Sequence, residues 1–521
     1  MITSSTADSV QYWEQFSIQP SDLDHLMGFL VEKENPFTVS ELAQEITRYR
    51  QEQINALLKQ TLSQGRIYRP GESFTTGETV IFPHLQNQVG EVTAIREGHN
   101  PEYEPFTVIN VKMEDGEKVE FITELSIDHP LNNMTYLPDE EVDTKTLFKK
   151  HGKIISKKLS DAFQVGTSFV NVANKWFVRD LLVEVSTGQL NLAEALLDME
   201  GGGPLRTEAF LSVIELPAEI PVALQLFSLE YALLNDRRFD EVGPAGYALW
   251  YLRTMEPKPV VETPKMLSYI PIPYNRGMLD DVMLNLISRV QDEWSELDDQ
   301  AEDIDQVTII LSYPHWRSGT LPLAAHVTNL FPTAHITDRI RFSFVDGQTG
   351  DIFPGWVVRS GRYVYGLHNW YLENKVGVGS YIDLQREEEP GQITVSFRPL
   401  RSRRREWLRT ATVVDRELAL EVVRVPVACE FDELTAMAIP EPATVDALAM
   451  TYEGLSLEVL TDRVFDGLAG LSLQRAVHAM TLYSVINLVR RVPPGPILAT
   501  LAQSSKYISL GDNYWAYRGG E

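Results

Sequence analysis

The sequence predicts an α+β protein of several domains: helical units that end in β-hairpins, a small β-barrel and a larger β-rich barrel or sandwich. Three observations predict this class. Helical apolar spacing recurs near both ends and in the middle of the chain, β-branched runs fill the intervals, and 521 residues that are 44% hydrophobic can bury several cores. The changes of period divide the chain into domains 1–70, 71–135, 136–186, 187–258, 265–430 and 431–521.

The first two domains differ in the spacing of their apolar residues, which is helical in the first and typical of strands in the second. Residues 1–70 hold three short amphipathic helices followed by the extended "RIYRPG". This order predicts a winged-helix-like domain, with a three-helix bundle as the alternative. Residues 71–135 hold short β-branched runs around the turn "EDGE" at 114–117. They predict a small SH3-like barrel or, alternatively, a β-meander packed on the helices.

The segment 136–186 changes charge abruptly. The acidic "LPDEEVD" precedes a basic stretch that carries Lys145, Lys149, Lys150, Lys153, Lys157 and Lys158. Such a stretch can bind phosphate through counterion release. A solvated helix face, or an internal partner for the acidic run, explains the same charges.

Domains 187–258 and 431–521 each contain helices followed by an aromatic hairpin, "RRFDEVGPAGYALWYLR" and "SKYISLGDNYWAYRGG". We expect Phe239, Trp250, Tyr507 and Trp515 to fix each hairpin to its helices, which is a core role. Both are predicted as winged-helix-like domains. Between them, 265–430 is mostly alternating strands after one helix, as in "QITVSF", and predicts the larger barrel or sandwich.

The charge and the cysteine content of the chain exclude several classes of function. The 73 acidic and 46 basic residues give a formal charge of −27, so any contact with nucleic acid must come from local basic patches. The single cysteine, Cys429, allows no intrachain disulfide and no cysteine-rich zinc site. The start lacks the features of a signal peptide, and no apolar run approaches the ~20 residues that span a bilayer. We therefore expect a cytoplasmic protein with no membrane partner and no cofactor.

Two basic clusters are candidate nucleic-acid contacts. The first flanks the last helix of the N-terminal domain and consists of Arg48, Arg50, Lys59, Arg66 and Arg69. The second, in "RPLRSRRREWLR", surrounds Trp407 and contains Arg401, Arg403, Arg404, Arg405 and Arg409. Arginines beside an aromatic ring can pair phosphates and stack on bases. Ion pairing of the second cluster with the acidic loop 292–305 is the structural alternative.

Catalytic motifs are scarce. The chain has no phosphate-binding P-loop, no H-E-x-x-H and no G-x-S-x-G. "YLENK" places Glu373 and Lys375 on one face if it is a strand, and Asp351 could add a second carboxylate. Two carboxylates and a lysine can bind Mg²⁺ and activate water, so a metal-dependent nuclease is the alternative function. "DGQTGD", which contains Asp351, also reads simply as a turn.

Two segments resemble the winged-helix domains of the HARE-type helix-turn-helix class, as in the acidic delta subunit of bacterial RNA polymerase. They are "GGGPLRTEAFL" with its aromatic hairpin and "LATLAQSSKYISLGDNYWAY". The resemblance covers the two hairpin domains, extends in its order of elements to the N-terminal domain, and includes nothing of the β-rich middle. It implies a role around transcription or DNA, often through protein contact, without catalytic residues. The leading hypothesis is a non-enzymatic interaction protein whose partner is nucleic acid or a transcription or other protein complex. A protein-binding scaffold without nucleic-acid affinity is the third hypothesis.

Overall fold

A computed structural model describes residues 16–85, 87–100, 104–133, 140–244, 248–296, 304–334 and 337–518. The chain divides into two compact bodies. The first comprises Met1–Glu184 with Leu216–Tyr231, and the second comprises Val185–Glu215 with Ala232–Glu521. Within the described ranges, no helix combines the length and the apolar character needed to cross a bilayer.

Three modules follow the same order of elements: a helix, a strand, two helices and a two-stranded hairpin. In each module the first strand pairs antiparallel with the last, which makes a three-stranded sheet. The N-terminal module consists of helices Pro20–Lys33, Val39–Leu62 and Glu140–Val165 and strands Phe37–Thr38, Phe169–Val172 and Lys175–Val178. The middle module, in chain order, consists of helices Thr187–Met199, Thr207–Phe210 and Val222–Asn235 and strands Leu205–Arg206, Phe239–Glu241 and Leu249–Leu252, and residues 222–231 of its third helix are assigned to the first body. The C-terminal module consists of helices Leu457–Ala469, Ala479–Val489 and Pro494–Gln503 and strands Val477–His478, Tyr507–Gly511 and Tyr514–Tyr517.

A tryptophan occupies the same sheet position in each module. Trp176, Trp250 and Trp515 lie on the last strand and pair with a residue of the first strand. Their side chains are 7%, 0% and 4% exposed, so each ring is part of a core. Phe239 and Tyr507 are also buried. The predicted core role of the hairpin aromatics is confirmed, because these large rings fix the hairpins to the helices.

The N-terminal module is interrupted by a five-stranded sheet. Its strands follow one another in chain order, and the predicted turn at 114–117 joins the last two. The strands are Arg66–Ile67, Thr79–Phe82, Gln88–Glu97, Thr107–Met113 and Lys118–Thr123. A domain boundary was predicted at residue 70. In the structure the N-terminal module continues beyond this residue, because its third helix and its hairpin come from residues 140–178.

The second body contains a seven-stranded, nearly closed barrel-like sheet, which agrees with the β-rich domain expected over 265–430. Helix Asp281–Val290 precedes it, and helix Tyr313–Ser318 joins its two edge strands. Aliphatic and aromatic side chains of alternate strand positions, such as Ile340, Phe342 and Phe344, form its core. In sheet order the strands are Gln306–Ile310, Tyr381–Arg386, Gln392–Phe397, Arg339–Asp346, Ile352–Val358, Tyr363–Tyr365 and Thr320–Pro322.

A long two-stranded ribbon follows the barrel-like sheet. Strands Pro399–Val414 and Glu417–Cys429 pair antiparallel, and the short strand Met437–Ala438 pairs parallel to the first. We call the two long strands the arginine ribbon. The other helices of the second body are Lys258–Val261, His368–Glu373 and Pro442–Tyr452.

A buried ionic network joins three segments of the second body. Arg491 Nη2 lies 2.7 Å from Asp292 Oδ2 and 2.8 Å from Glu293 Oε1, and the side chains of all three are at most 2% exposed. Tyr483 donates a hydrogen bond of 2.8 Å to Asp292, and His315 Nε2 lies 3.1 Å from Glu293 Oε2. The network links the chain after helix Asp281–Val290 to helix Tyr313–Ser318 and to the C-terminal module.

Two carboxylates share one guanidinium at another buried point. Arg339 lies 2.5 Å from Asp240 Oδ2 and 2.8 Å from Glu256 Oε2, and the Glu256 side chain is fully buried. Burial and the neighbouring Asp240 charge raise the pKa of Glu256 to about 8 from an ordinary value of 4.5. Because the folded-state pKa exceeds the unfolded one, the stabilising contribution is complete below about pH 4.5 and is lost as the pH rises through 8.

We therefore expect Glu256→Gln, which cannot ionise, to unfold at a higher urea concentration than the wild type at pH 8.5. The gain should be on the order of 2 kcal/mol and should vanish below about pH 4.5, where the wild-type carboxyl is protonated in both the folded and the unfolded state. Parallel stability profiles of the two proteins between pH 5 and 8.5 would contradict this assignment.

Candidate nucleic-acid interface

The predicted N-terminal arginines are paired with carboxylates. On helix Val39–Leu62, Arg48 contacts Glu45 at 2.5 Å and also contacts Glu52, one turn away in each direction. Burial of the Glu45 carboxylate raises its pKa, but hydrogen bonds from Arg48 and His25 outweigh this effect and leave the pKa lowered. Arg50 lies 2.7 Å from Asp22, which is fully buried. These guanidinium groups are already engaged within the module.

The arginines at the start of the five-stranded sheet are engaged in the same way. Arg66 lies 2.8 Å from Glu72 and 3.4 Å from Glu78, and its guanidinium stacks over the ring of Phe74 at 5.0 Å. Arg69 lies 3.6 Å from Glu72. Lys59 is exposed near the end of helix Val39–Leu62. The five predicted residues therefore do not form one free cationic face.

The lysine-rich segment forms the third helix of the N-terminal module, Glu140–Val165. One face of this helix is buried at every fourth position, through Leu147, His151, Ile155, Leu159 and Phe163. Two residues away from this row, on the opposite side of the helix, Lys149, Lys153 and Lys157 are exposed at the same spacing. We call these three residues the lysine stripe.

The lysine stripe differs from the N-terminal arginines in its partners. Among the described residues, no carboxylate forms an ion pair with Lys149, Lys153 or Lys157. Their spacing of four residues places the three ammonium groups along one side of the helix, over about 12 Å at a rise of roughly 1.5 Å per residue. Three unneutralised charges in a row form an attractive surface for a polyanion.

The arginine ribbon presents a second cationic surface. Cross-strand pairing puts Trp407 opposite Arg424 and Arg405 opposite Pro426 on one face. The Trp407 side chain is 68% exposed, which is unusual for a tryptophan, and both arginines are exposed as well. Arg424 donates a hydrogen bond of 3.3 Å to the Arg405 carbonyl oxygen. Within the described part of the chain, neither guanidinium has an ion-pair partner.

The other predicted ribbon residues are placed differently. Arg404 is exposed on the opposite face, where it pairs with Val427. Arg409 is half-buried and donates a hydrogen bond to the Glu433 carbonyl oxygen, and burial lowers the pKa of its guanidinium. The side chains of Arg401 and Arg403 lie outside the described residues. Asp292 and Glu293, from the acidic loop offered as the alternative partner of this cluster, pair instead with Arg491.

The candidate nuclease residues do not occupy the expected strand. Glu373 is the last residue of helix His368–Glu373, and Lys375 follows it with a φ of 55°. The premise that both lie on one strand face is therefore wrong. Asp351 is exposed at the end of the turn 346–351, where the backbone closes a hydrogen bond of 2.8 Å to Asp346. The residues that the structure describes contain no group of three His, Cys, Asp or Glu arranged to hold a metal.

Comparison of the chain with known family models, curated proteins and solved structures finds no match. The functional assignment therefore depends on the geometry and charge of the described surfaces.

The signal for the lysine stripe was present in the sequence. An apolar residue or histidine recurs every fourth position from Leu147 to Phe163, and lysine recurs at the same interval from Lys149 to Lys157. The two rows together predict an amphipathic helix with a cationic outer side. Charge density alone favoured the arginine clusters, because it does not show which cations have carboxylate neighbours.

Proposed function

We propose that the protein binds nucleic acid and that its three modules are winged-helix units. The shared order of helix, strand, two helices and hairpin supports this, as does the pairing of the first strand with the last in each module. On this proposal the five-stranded sheet is an SH3-like barrel inserted between the second and third helices of the N-terminal unit.

The lysine stripe is the observation that carries the proposal. In helix-turn-helix proteins the recognition helix lies against the DNA groove and the flanking segments contact phosphates. The third helix of a winged-helix unit has this role, and here it is Glu140–Val165, whose exposed side holds Lys149, Lys153 and Lys157. Lysine neutralises phosphate without reading bases, so we infer binding with little sequence preference.

The third helices of the other two modules lack such a surface. The third helix of the middle module, Val222–Asn235, contains no lysine or arginine. In the C-terminal module the third helix, Pro494–Gln503, is buried over most of its length, so it cannot enter a groove. We infer that these two modules are structural or dock other proteins.

Duplex binding tests this proposal. The assay is fluorescence anisotropy with a labelled 20-base-pair duplex at about 50 mM salt. The wild type should bind, and the triple variant Lys149→Gln, Lys153→Gln, Lys157→Gln should bind more than about tenfold more weakly. The matched control replaces three paired arginines of the same body with glutamine. They are Arg48, Arg66 and Arg96, of which Arg96 lies 2.6 Å from Glu120. Because these cations already contact carboxylates, the control should change affinity by less than about threefold.

Equal weakening by both triple variants would show that total charge, not the stripe, determines affinity. Absence of duplex binding by the wild type would overturn the proposal and favour the protein-binding scaffold.

The arginine ribbon supports a second nucleic-acid contact of a different kind. Exposed Trp407 between Arg405 and Arg424 offers a stacking surface beside two phosphate-pairing groups. This combination suits unpaired bases, because a base in a duplex hides its faces. We propose that the ribbon binds single-stranded nucleic acid. No observation favours the metal-dependent nuclease.

A further inference from the structure

A cavity of about 560 Å³ is lined by the arginine ribbon and by segments beside it. Leu408, Val425 and Val427 of the ribbon form its roof. Val378, Met437 and Ile439 line a second wall, which we call its floor. The volume falls within the range of small-molecule sites, which is roughly 300–1,000 Å³.

The floor of this cavity is closely packed. Val378 and Met437 form a β-bridge, and Gly379 beside them has a φ of +89°. A Cβ on Gly379 would lie 2.5 Å from the Ala436 backbone, so even a methyl group has no room there. The space therefore lies on the ribbon side, where the roof side chains are only half-buried. Apolar groups that face a void lack the dispersion contacts that a ligand would supply.

The polar groups of the cavity are few and mostly satisfied. The Ser380 hydroxyl accepts a hydrogen bond of 3.2 Å from the Gly377 amide, and the Cys429 thiol lies 3.8 Å from the Lys375 carbonyl oxygen. Among the described lining residues, Lys375 carries the single charged side chain. It is exposed, and no carboxylate of the described chain forms an ion pair with it.

We propose that this cavity binds an aliphatic monocarboxylate, with its hydrocarbon chain between the ribbon and the floor and its carboxylate at Lys375. The apolar walls select a hydrocarbon, the satisfied polar groups offer no site for further hydroxyls, and the one lysine selects a single negative charge. This proposal does not depend on the proposed nucleic-acid contacts, which involve the lysine stripe and Trp407, Arg405 and Arg424 of the ribbon.

Isothermal titration calorimetry with decanoate tests the proposal, with decanol and decyltrimethylammonium as neutral and cationic analogues. We expect decanoate to bind one site with a negative heat-capacity change and to bind more tightly than either analogue. Lys375→Gln should weaken decanoate about tenfold and leave decanol unchanged. Leu408→Trp, which fills the cavity from the roof, should abolish binding of both while near-ultraviolet circular dichroism confirms the fold.

Three results would overturn the proposal. They are no decanoate binding by the wild-type protein, equal affinity for the cationic analogue, and undiminished decanoate binding by a folded Leu408→Trp variant. If Leu408→Trp fails to fold, Val425→Phe fills the same cavity from the roof and replaces it in the comparison.

Discussion

Substitution of Arg491 by methionine should destabilise the second body by about 3–5 kcal/mol, because it leaves two buried carboxylates without their cation. Asp292 and Glu293 lie 2.7 and 2.8 Å from this guanidinium, and all three side chains are at most 2% exposed. Burial raises the pKa of Glu293, but Arg491 and His315 lower it to about 2, so this carboxylate is charged at neutral pH. For Asp292 burial outweighs the effect of Arg491 and leaves the pKa raised, so the main uncompensated charge is that of Glu293. The measurement is the urea midpoint at pH 7.

The control for this variant is an arginine of the same body at the surface. Arg463 lies 3.1 Å from Glu417, but both side chains are about half exposed, so Arg463→Met should cost less than about 1 kcal/mol. Adding Asp292→Asn and Glu293→Gln to Arg491→Met should recover part of the loss, since the orphaned charges disappear. A midpoint for Arg491→Met equal to that of Arg463→Met would show that the network contributes little.

Substitution of Trp407 by alanine should weaken binding of a single-stranded oligonucleotide by about 1–3 kcal/mol, the usual value of one stacked base. The ring is 68% exposed and lies opposite Arg424, so its removal leaves no void in the core and should not change the urea midpoint. Fluorescence anisotropy with a labelled 20-base thymidine oligomer measures the change.

Two further variants separate stacking from charge at the ribbon. Trp407→Phe keeps an aromatic face and should retain most of the affinity, whereas Arg405→Gln with Arg424→Gln should reduce the salt dependence. If Trp407→Ala binds the oligomer as well as the wild type, the ribbon is not the single-strand contact.

The local elements of the fold were predictable where a regular signal extended over many residues. The aromatic hairpins, the turn at 114–117 and the β-rich region appear where alternation and turn residues place them. The N-terminal module was harder, because the five-stranded sheet separates its second helix from its third in the sequence. The pairing of Phe37 with Trp176 is a contact across this insertion that no local pattern reveals.

For the candidate sites, too, the sequence predicts local ion pairs but not those between distant residues. The pairing of Arg48 with Glu45 and Glu52 follows from helical spacing and was open to prediction. The pairing of Arg50 with Asp22 depends on how two helices pack, and the sequence does not specify this. Glu373 lies in a helix of six residues, which is too short to show a period, so alternation suggested a strand.

The salt dependence of duplex binding tests the central claim most directly, because it counts the phosphates that the protein neutralises. The slope of log K against log salt should be smaller in magnitude by about 2.7 when Lys149, Lys153 and Lys157 are all glutamine, at roughly 0.9 per phosphate contact. The control without Arg48, Arg66 and Arg96 should keep the wild-type slope. A slope unchanged by loss of the lysine stripe would contradict the account.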